Sequence, residues 1–365
     1  MKVVADSAIP FLKGVLEPYA EVVYLGGDAI TRRDLADADI LLTRTRTRSE
    51  AALLDGTPVK LIATATIGTD HIDLPYCHAH GITVTSAAGC NSLAVADYVV
   101  SAISFLCRDG CDYAKPMAAR GHVNGPNSER SEVGDERSEG LAWLHPSRKI
   151  LTIGIVGVGH VGSEVERLCR AAGWNVLCCD PPRAEKEREF GFCSLEYLLA
   201  NSDVVTLHVP LDDSTRGMAD EGFFGKMREG AMFVNASRGE VVDEGALKRA
   251  VGRLGAIVID TWCREPDIDR ELLEVAAIAT PHIAGYSVQG KMNGTAAVVR
   301  AAARFIGIPE LEAFRPEGWR EPEKVLLSEI PEKYPIFADD AMLRGAPERF
   351  ESLRTAYKLR DEFYI

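Results

Sequence analysis

Gly157-Val158-Gly159-His160-Val161-Gly162 limits the fold of this chain more than any other stretch. It follows Ile150-Leu151-Thr152-Ile153-Gly154-Ile155-Val156, an apolar, β-branched run that reads as a buried strand. Ser163 to Ala172 comes next, with Val165, Leu168 and Cys169 at helical spacing. A second strand-like run, Trp174 to Cys179, then ends at Asp180. Strand, glycine turn, helix, strand and acid form one βαβ unit. In such a unit the first glycine permits the tight turn and the second lets backbone approach a pyrophosphate at the helix N-terminus. The third lets helix and strand pack closely. Asp180 is placed to accept hydrogen bonds from ribose hydroxyls, and its charge opposes a 2′-phosphate, so NAD is expected over NADP.

The same alternation runs through most of the chain. Lys2-Val3-Val4-Ala5, Glu21 to Leu25, Ile40 to Thr43, Leu61 to Ala65 and Ile82 to Thr85 read as five strands. Helical segments are expected between most of them, which argues for a parallel sheet. A long apolar helix is expected from Ser92 to Cys107, with Asn91 as its cap. Beyond Asp180, four further strands are read at Asp203–Val209, Ala231–Ala236, Ala256–Asp260 and Ala277–Thr280. With the first two they make six parallel strands, a doubly wound sheet that binds ligands at its carboxyl ends. Residues 116–140 hold almost no large apolar side chains and are expected to form a mobile loop. The tail from Pro309 is charged and Pro-rich, and no fold is read for it.

A chain of 365 residues has room for two domains or a little more. Its net charge of −13 argues against nucleic-acid binding and against an anionic membrane surface. No apolar run approaches the roughly 20 residues of a membrane span. Met1-Lys2-Val3-Val4-Ala5-Asp6 places an acid too early for a secretory signal. The nine cysteines form no repeated framework, so reduced thiols and a cytoplasmic location are expected. His71, Cys77, His78 and His80 lack a second ligand pair at zinc spacing, so no metal is expected.

Three polar residues stand just after expected strands: Arg238, Glu265 and His282. Alone, an Arg-Gly turn, a Glu-Pro helix start or a His after a strand is an ordinary structural feature. Together, beyond a dinucleotide fingerprint, they make a coherent set. Passing a hydride from an alcohol carbon to NAD needs a base for the hydroxyl proton and, for an anionic substrate, a cationic anchor. An imidazole, with an ordinary pKa near 6.5, suits proton exchange at neutral pH, so His282 is the candidate base. Glu265 is its candidate partner, since a carboxylate favours imidazolium and fixes the tautomer. Arg238 is suited to hold a carboxylate bidentately and to polarise a neighbouring oxygen. Arg44, Arg46 and Arg48 follow the third strand. Extended alternation places them on one side, where they and Lys291 are candidates for reading a phosphate.

Asn235-Ala236-Ser237-Arg238-Gly239-Glu240-Val241-Val242-Asp243, Asp260-Thr261-Trp262-Cys263-Arg264-Glu265-Pro266 and Thr280-Pro281-His282-Ile283-Ala284-Gly285 resemble three signatures of the D-isomer-specific 2-hydroxyacid dehydrogenases. The resemblance extends over roughly residues 1–305. A branch acting on a phosphorylated 2-hydroxy acid is marked by Ala65-Thr66-Ile67-Gly68-Thr69-Asp70-His71 and Ala88-Gly89-Cys90-Asn91. Cys179-Asp180-Pro181-Pro182-Arg183-Ala184 and the run from His282 through Tyr286-Ser287 to Gly290-Lys291 and Gly294-Thr295 add to it.

The resemblance implies an α/β fold with two Rossmann-like or flavodoxin-like domains, each a doubly wound parallel sheet. The substrate-binding (lid) domain is discontinuous, residues 1–93 with 286–310. An NAD-binding Rossmann domain covers 94–285, and 311–365 form a C-terminal extension. It implies NAD contacts at Gly157, Gly159, His160, Val161, Gly162, Asp180, Val209, Ala236, Ser237, Arg238, Asp260 and Gly285. It implies substrate contacts at Thr45, Thr66 and Tyr286, joined by Arg44 and Arg46. The partner expected is a small phosphorylated 2-hydroxy acid, the assembly a homodimer. Two alternatives stay open: a dehydrogenase of another D-2-hydroxy acid such as 3-phosphoglycerate, and an NAD(H)-responsive binding protein on the same fold.

Overall fold

The apolar runs become two separate parallel sheets in the computed structural model, which describes residues 1–108, 150–187 and 191–365. The 116–140 segment, expected as a loop, lies outside the described residues. The first of two units comprises Met1–Ser92, Tyr286–Pro322 and Leu359–Glu362. The second comprises Leu93–Gly285, Glu323–Lys358 and Phe363–Ile365.

In the first unit the strands are β1 (Lys2–Asp6), β2 (Glu21–Leu25), β3 (Ile40–Thr43), β4 (Leu61–Thr64) and β5 (Thr83–Ser86). Their order is β2-β1-β3-β4-β5 and every pairing is parallel. This is the flavodoxin-like winding, with its switch point between β1 and β3. The strands β3 and β4 are buried along their whole length, as their unbroken apolar sequences require. Helices α1 (Ala51–Leu54) and α2 (Leu74–Ala79) join β3 to β4 and β4 to β5. The two earlier connections carry turns instead of the expected helices. Pro10, Gly14 and Pro18 break the first. The second opens with Gly26-Gly27 and closes in short i to i+3 turns, such as Asp34 N–H to Thr31 C=O at 3.1 Å.

The second unit begins one residue into α3 (Ser92–Arg108), a helix one residue longer than read at its C-terminal end. It continues through β6 (Thr152–Val156), α4 (His160–Ala171), β7 (Asn175–Cys179), α5 (Pro181–Glu187), α6 (Leu195–Asn201) and β8 (Val204–Leu207). It goes on with α7 (Glu221–Lys226), β9 (Met232–Asn235), α8 (Glu244–Ala250), β10 (Ala256–Ile259), α9 (Arg270–Val275) and β11 (Ile278–Ala279). The sheet order is β11-β10-β9-β8-β6-β7, all parallel. Alternate residues feed two cores, as a period of two dictates. Met232 and Val234 of β9 join Ile153, Ile155 and Leu168 on one face, while Phe233 joins Phe223, Phe224 and Leu247 on the other. Short helices start where a side chain caps them. Ser194, Asp220, Asp243 and Asp269 accept the N–H groups of Tyr197, Phe223, Ala246 and Leu272.

The chain then forms α10 (Val288–Ile306) in the first unit, capped by Ser287 and ended by Gly307 at φ +85°. The tail is built from β12 (Glu323–Lys324), α11 (Ile330–Lys333), α12 (Ile336–Gly345), α13 (Phe350–Thr355) and β13 (Phe363–Tyr364). It is divided between the two units. Within the second, α12 covers the edge strand β11. The Asp340 carboxylate accepts the Ala279 N–H at 2.7 Å, and Arg344 donates to the Leu273 and Ala276 carbonyls at 2.6 and 2.7 Å.

Candidate active site

The glycine turn after β6 separates two kinds of demand. Gly157 sits at φ +85°, and a Cβ there would lie 2.8 Å from the His208 carbonyl. A Cβ on Gly162 would fall 2.1 Å from the Gly157 carbonyl oxygen. Both glycines are therefore required by the protein's own backbone. Gly159, the residue that caps α4, has nothing within 4 Å of its would-be Cβ, so the turn leaves open space at the helix N-terminus. That is the cradle a dinucleotide pyrophosphate fits. Behind it the Asp180 carboxylate accepts the Val158 N–H at 2.8 Å and the Arg183 N–H at 3.0 Å. The Arg183 guanidinium pairs with Glu187 at 2.8 Å and also donates to the Val158 carbonyl.

Val209 and Ala236, just past β8 and β9, are half-buried against the two cores. Before Val209, His208 shares a hydrogen bond with Thr206 Oγ1 at 2.9 Å through Nε2, while its enclosed Nδ1 has no partner. Burial pushes this imidazole down to about 3, so it is neutral.

Past β9, Asn235 organises the turn that presents Arg238. Its Oδ1 accepts the Ser237 N–H and Oγ–H at 3.1 and 2.8 Å, and its Nδ2 donates to the Arg238 carbonyl at 3.0 Å. The Arg238 guanidinium donates to the Ser237 carbonyl at 2.8 Å. A Cβ on Gly239 would lie 2.0 Å from the Trp262 carbonyl carbon, so this turn touches the loop after β10 backbone to backbone.

That loop carries Glu265, and the segment after β11 carries His282. Glu265 Oε2 lies 2.8 Å from His282 Nδ1, and Oε1 accepts the Trp262 N–H at 3.0 Å. Burial pushes the Glu265 carboxyl up, but the His282 charge and hydrogen bond, with the Trp262 N–H, outweigh it and hold the group below the usual carboxylate range. An ionised carboxylate only accepts, so the proton is on Nδ1 and Nε2 is left as the base.

His282 holds a left-handed backbone, φ +56°, as does Arg264 at +58°. Such positions cost on the order of 1 kcal/mol or more and need support from their surroundings. Asp260 supplies it. Its carbonyl accepts the His282 N–H at 2.8 Å, and its buried carboxylate accepts Thr280 Oγ1–H and the Ile283 and Ala284 N–H groups at 2.6, 2.8 and 2.9 Å. Burial raises the Asp260 carboxyl above its ordinary value, against the pull of His282 and these donors. Tyr98 OH lies 2.8 Å from Thr280 Oγ1, and Trp262 Nε1 donates to the Thr280 carbonyl at 2.9 Å. Gly285, half-buried, ends the supported segment. Sequence reasoning missed Tyr98, Trp262, Thr280 and Gly239 as supports. Three of these lie inside the quoted signature strings, but nothing in the sequence pairs Tyr98 with Thr280.

In the first unit, β3 stops at Thr43, and Thr47 N–H bonds to the Arg44 carbonyl at 3.3 Å. The extended alternation expected for Arg44, Arg46 and Arg48 is therefore replaced by a turn. It closes because Thr47 is buried with its Oγ1 on the Gly27 carbonyl at 2.9 Å. Arg44 donates to the Ala8 carbonyl at 3.0 Å and Arg48 pairs with Glu50 at 3.4 Å, while Thr45 and Arg46 are exposed. Thr66 Oγ1 lies 2.7 Å from Thr64 Oγ1 and donates to the Gly68 carbonyl at 3.1 Å. The Lys291 ammonium stands 3.8 Å from the centre of the Tyr286 ring. Among the described residues no group of three or more His, Cys, Asp or Glu side chains is placed to hold a metal ion, and no helix is long and apolar enough to cross a membrane.

A doubly wound sheet with a glycine cradle and a Glu–His pair at its carboxyl ends defines a nicotinamide-dependent dehydrogenase. The family model for the D-isomer specific 2-hydroxyacid dehydrogenase, NAD binding domain, matches residues 127–284. The chain belongs to the D-isomer specific 2-hydroxyacid dehydrogenases, with NAD as cofactor. It is 40% identical to an erythronate-4-phosphate dehydrogenase of Bacteroides fragilis, over 99% of this chain and 97% of that one. It is 38% identical to the enzyme of the same name from Porphyromonas gingivalis, over 98% and 92%. Among solved structures, D-lactate dehydrogenase from Aquifex aeolicus, complexed with NAD and lactic acid, aligns with TM-score 0.62 at 25% identity, covering 88% of this chain and all (100%) of that one. The TT0316 protein of Thermus thermophilus aligns with TM-score 0.66 at 27% identity, covering 84% and 97%.

Proposed function

We propose that this chain oxidises 4-phospho-D-erythronate at C2 to 2-oxo-3-hydroxy-4-phosphobutanoate, a step on a route to pyridoxal phosphate. The observation that carries the chemistry is the Glu265–His282 pair, 2.8 Å apart at the carboxyl end of the sheet that holds the glycine cradle. Nε2 of His282 takes the proton of the C2 hydroxyl, and Glu265 stabilises the imidazolium that results. Arg238 holds the substrate carboxylate and draws charge toward the C2 oxygen. The nicotinamide, when bound, accepts the hydride from C2.

Gly157, Gly159, His160, Val161 and Gly162 cradle the pyrophosphate, and Asp180 reads the ribose. Val209, Ala236, Ser237, Arg238, Asp260 and Gly285 serve the rest of the dinucleotide. Asp180 excludes a 2′-phosphate, and Arg183, already paired with Glu187, does not counter it. Thr45, Thr66 and Tyr286 contact the substrate. Arg44, Arg46 and Lys291 read its phosphate. The substrate's identity comes from the full-length relatives and from the strings shared with their branch. A homodimer working in the cytoplasm completes the reading, and eight free cysteines among the described residues fit a reducing compartment.

The test is NADH formation by purified protein on 4-phospho-D-erythronate, D-erythronate, 3-phospho-D-glycerate and D-lactate. The phosphorylated four-carbon acid should have the highest kcat/KM. A preference for any of the others contradicts the substrate assignment, and NAD binding without turnover on all four contradicts an enzymatic role.

A further inference from the structure

Leu359–Glu362 is the one stretch of the far C-terminus that belongs to the first unit, and it grips the start of α10. Four consecutive residues there are tied to it. Arg360 Nη1 donates to the Tyr286 carbonyl at 3.0 Å. Ser287 Oγ donates to the Glu362 carboxylate at 2.6 Å. The Val288 N–H reaches the Arg360 carbonyl at 2.9 Å. Gln289 Oε1 accepts the Glu362 N–H at 3.1 Å.

Glu362 is only 4% exposed. A buried carboxylate is costly unless satisfied, and here the satisfaction passes into the helix. The Ser287 oxygen that donates to Glu362 also accepts the Gly290 N–H at 2.8 Å, linking the charge to the positive end of a 19-residue helix. The same helix also packs closely on neighbouring chain. A Cβ on Gly290 would meet Ser287 Oγ at 2.6 Å and Asn91 Cβ at 2.9 Å, and one on Gly294, a turn further on, would meet the Ala65 carbonyl oxygen at 2.8 Å. The first turn is therefore held by Asn91 as well as by the tail. Lys291 rises from it, and its ammonium rests on the Tyr286 ring at 3.8 Å. A free lysine samples many rotamers, whereas this one is kept at one place by an aromatic face whose backbone the tail fixes.

We propose that Arg360 and Glu362 are positioning residues for phosphate recognition: they fix the first turn of α10, so that Lys291 and Tyr286 act as one contact for the substrate's phosphate. This rests on the phosphorylated substrate proposed above. Neither residue needs to touch the ligand, and the pair acts through the backbone of 286–289.

The experiment compares Glu362→Ala, Glu362→Gln, Lys291→Ala and the Glu362→Ala/Lys291→Ala double variant. Glu362→Ala should raise KM for 4-phospho-D-erythronate about 10-fold, with kcat and the KM for NAD within about twofold. Glu362→Gln, whose amide oxygen still accepts from Ser287, should restore KM to within about threefold of the parent. The double variant should be no worse than Lys291→Ala alone, because both act through one contact. Hydrogen exchange across 286–293, with no substrate present, should rise in Glu362→Ala and stay low in Glu362→Gln. An unchanged KM, a loss confined to kcat, or multiplying effects in the double variant would overturn the proposal. Should Glu362→Ala fail to fold, Arg360→Ala against Arg360→Lys is judged by the same criteria. A protein inactive on every phosphorylated acid contradicts the substrate reading instead, and positioning of the turn is then decided by exchange alone.

Discussion

The two glycines that flank His160 and Val161 should respond oppositely to alanine. In Gly162→Ala the new methyl would sit 2.1 Å from the Gly157 carbonyl oxygen, more than an ångström inside normal contact, with rigid backbone on both sides. Overpacking of this kind costs about 1–3 kcal/mol, sometimes more, against roughly 1 kcal/mol of gained helix propensity. The net loss should lower the melting temperature by several degrees, at about 2–4 °C per kcal/mol. Gly159→Ala meets nothing within 4 Å and keeps an ordinary φ of −74°, so its stability should fall by no more than about 1 kcal/mol, the difference between glycine and alanine at a helix N-cap. Its methyl instead fills the space reserved for pyrophosphate. Loss of charge-assisted hydrogen bonds there, about 1.5–3 kcal/mol, should weaken NAD roughly 10–150-fold. Calorimetric melting and titration with NAD measure both quantities. Equal destabilisation by the two variants, or unimpaired NAD affinity in Gly159→Ala, would refute the separation of structural from ligand-facing glycines.

His282→Ala should lower kcat by about 10²–10⁴-fold while NAD still binds, read by steady-state rates and a binding titration. Glu265→Gln should lower kcat by about 10-fold or more, because the amide can keep the contact to Nδ1, 2.8 Å in the parent, but no longer stabilises the imidazolium formed in turnover; an unchanged kcat removes Glu265 from the mechanism. His208 makes acid stability testable. The unfolded chain protonates an imidazole near pH 6.5 and the folded one near 3, so the unfolded state holds more protons between those values. Stability is full above about pH 6.5 and is lost as pH falls toward 3, by up to a few kcal/mol. Urea melts of the parent and His208→Gln across that window should show a shallower slope in the variant. Asp180→Ala should narrow the preference for NAD over NADP, measured as the ratio of kcat/KM values; an unchanged ratio assigns Asp180 to bracing the turn alone.

Unbroken apolar runs such as Ile40–Thr43 and Leu61–Thr64 were legible as buried strands because nothing else explains them. The six-stranded sheet was legible for the same reason. The connections from β1 to β3 misled, because alternation with helices was extended to them while Pro10, Gly14, Pro18, Gly26-Gly27 and single turns decide against a helix. Arg44 to Arg48 misled because extended alternation was assumed past the strand's end, where Thr47 turns inward to Gly27. The Glu265–His282 pair was legible from types and position, but not the left-handed His282 nor the Asp260 and Tyr98 bonds that support it. These join segments far apart in sequence. The tail resisted reading for a related reason. Its helices are short, opening at Pro331, Pro335 and Pro347, and take their partners, such as Asp340 on Ala279, from remote strands.

Direct hydride transfer from C2, with His282 as the base, is tested most sharply by isotope. Purified protein is given 4-phospho-D-erythronate carrying deuterium at C2, with NAD, and the nicotinamide product is analysed by mass spectrometry and proton NMR. The deuterium should appear at C4 of the reduced nicotinamide, one per oxidised substrate, and the His282→Ala variant should show the transfer slowed by at least about 100-fold. Deuterium released to solvent, or transfer at the parent's rate in His282→Ala, would contradict both the reaction and the residue assigned to it.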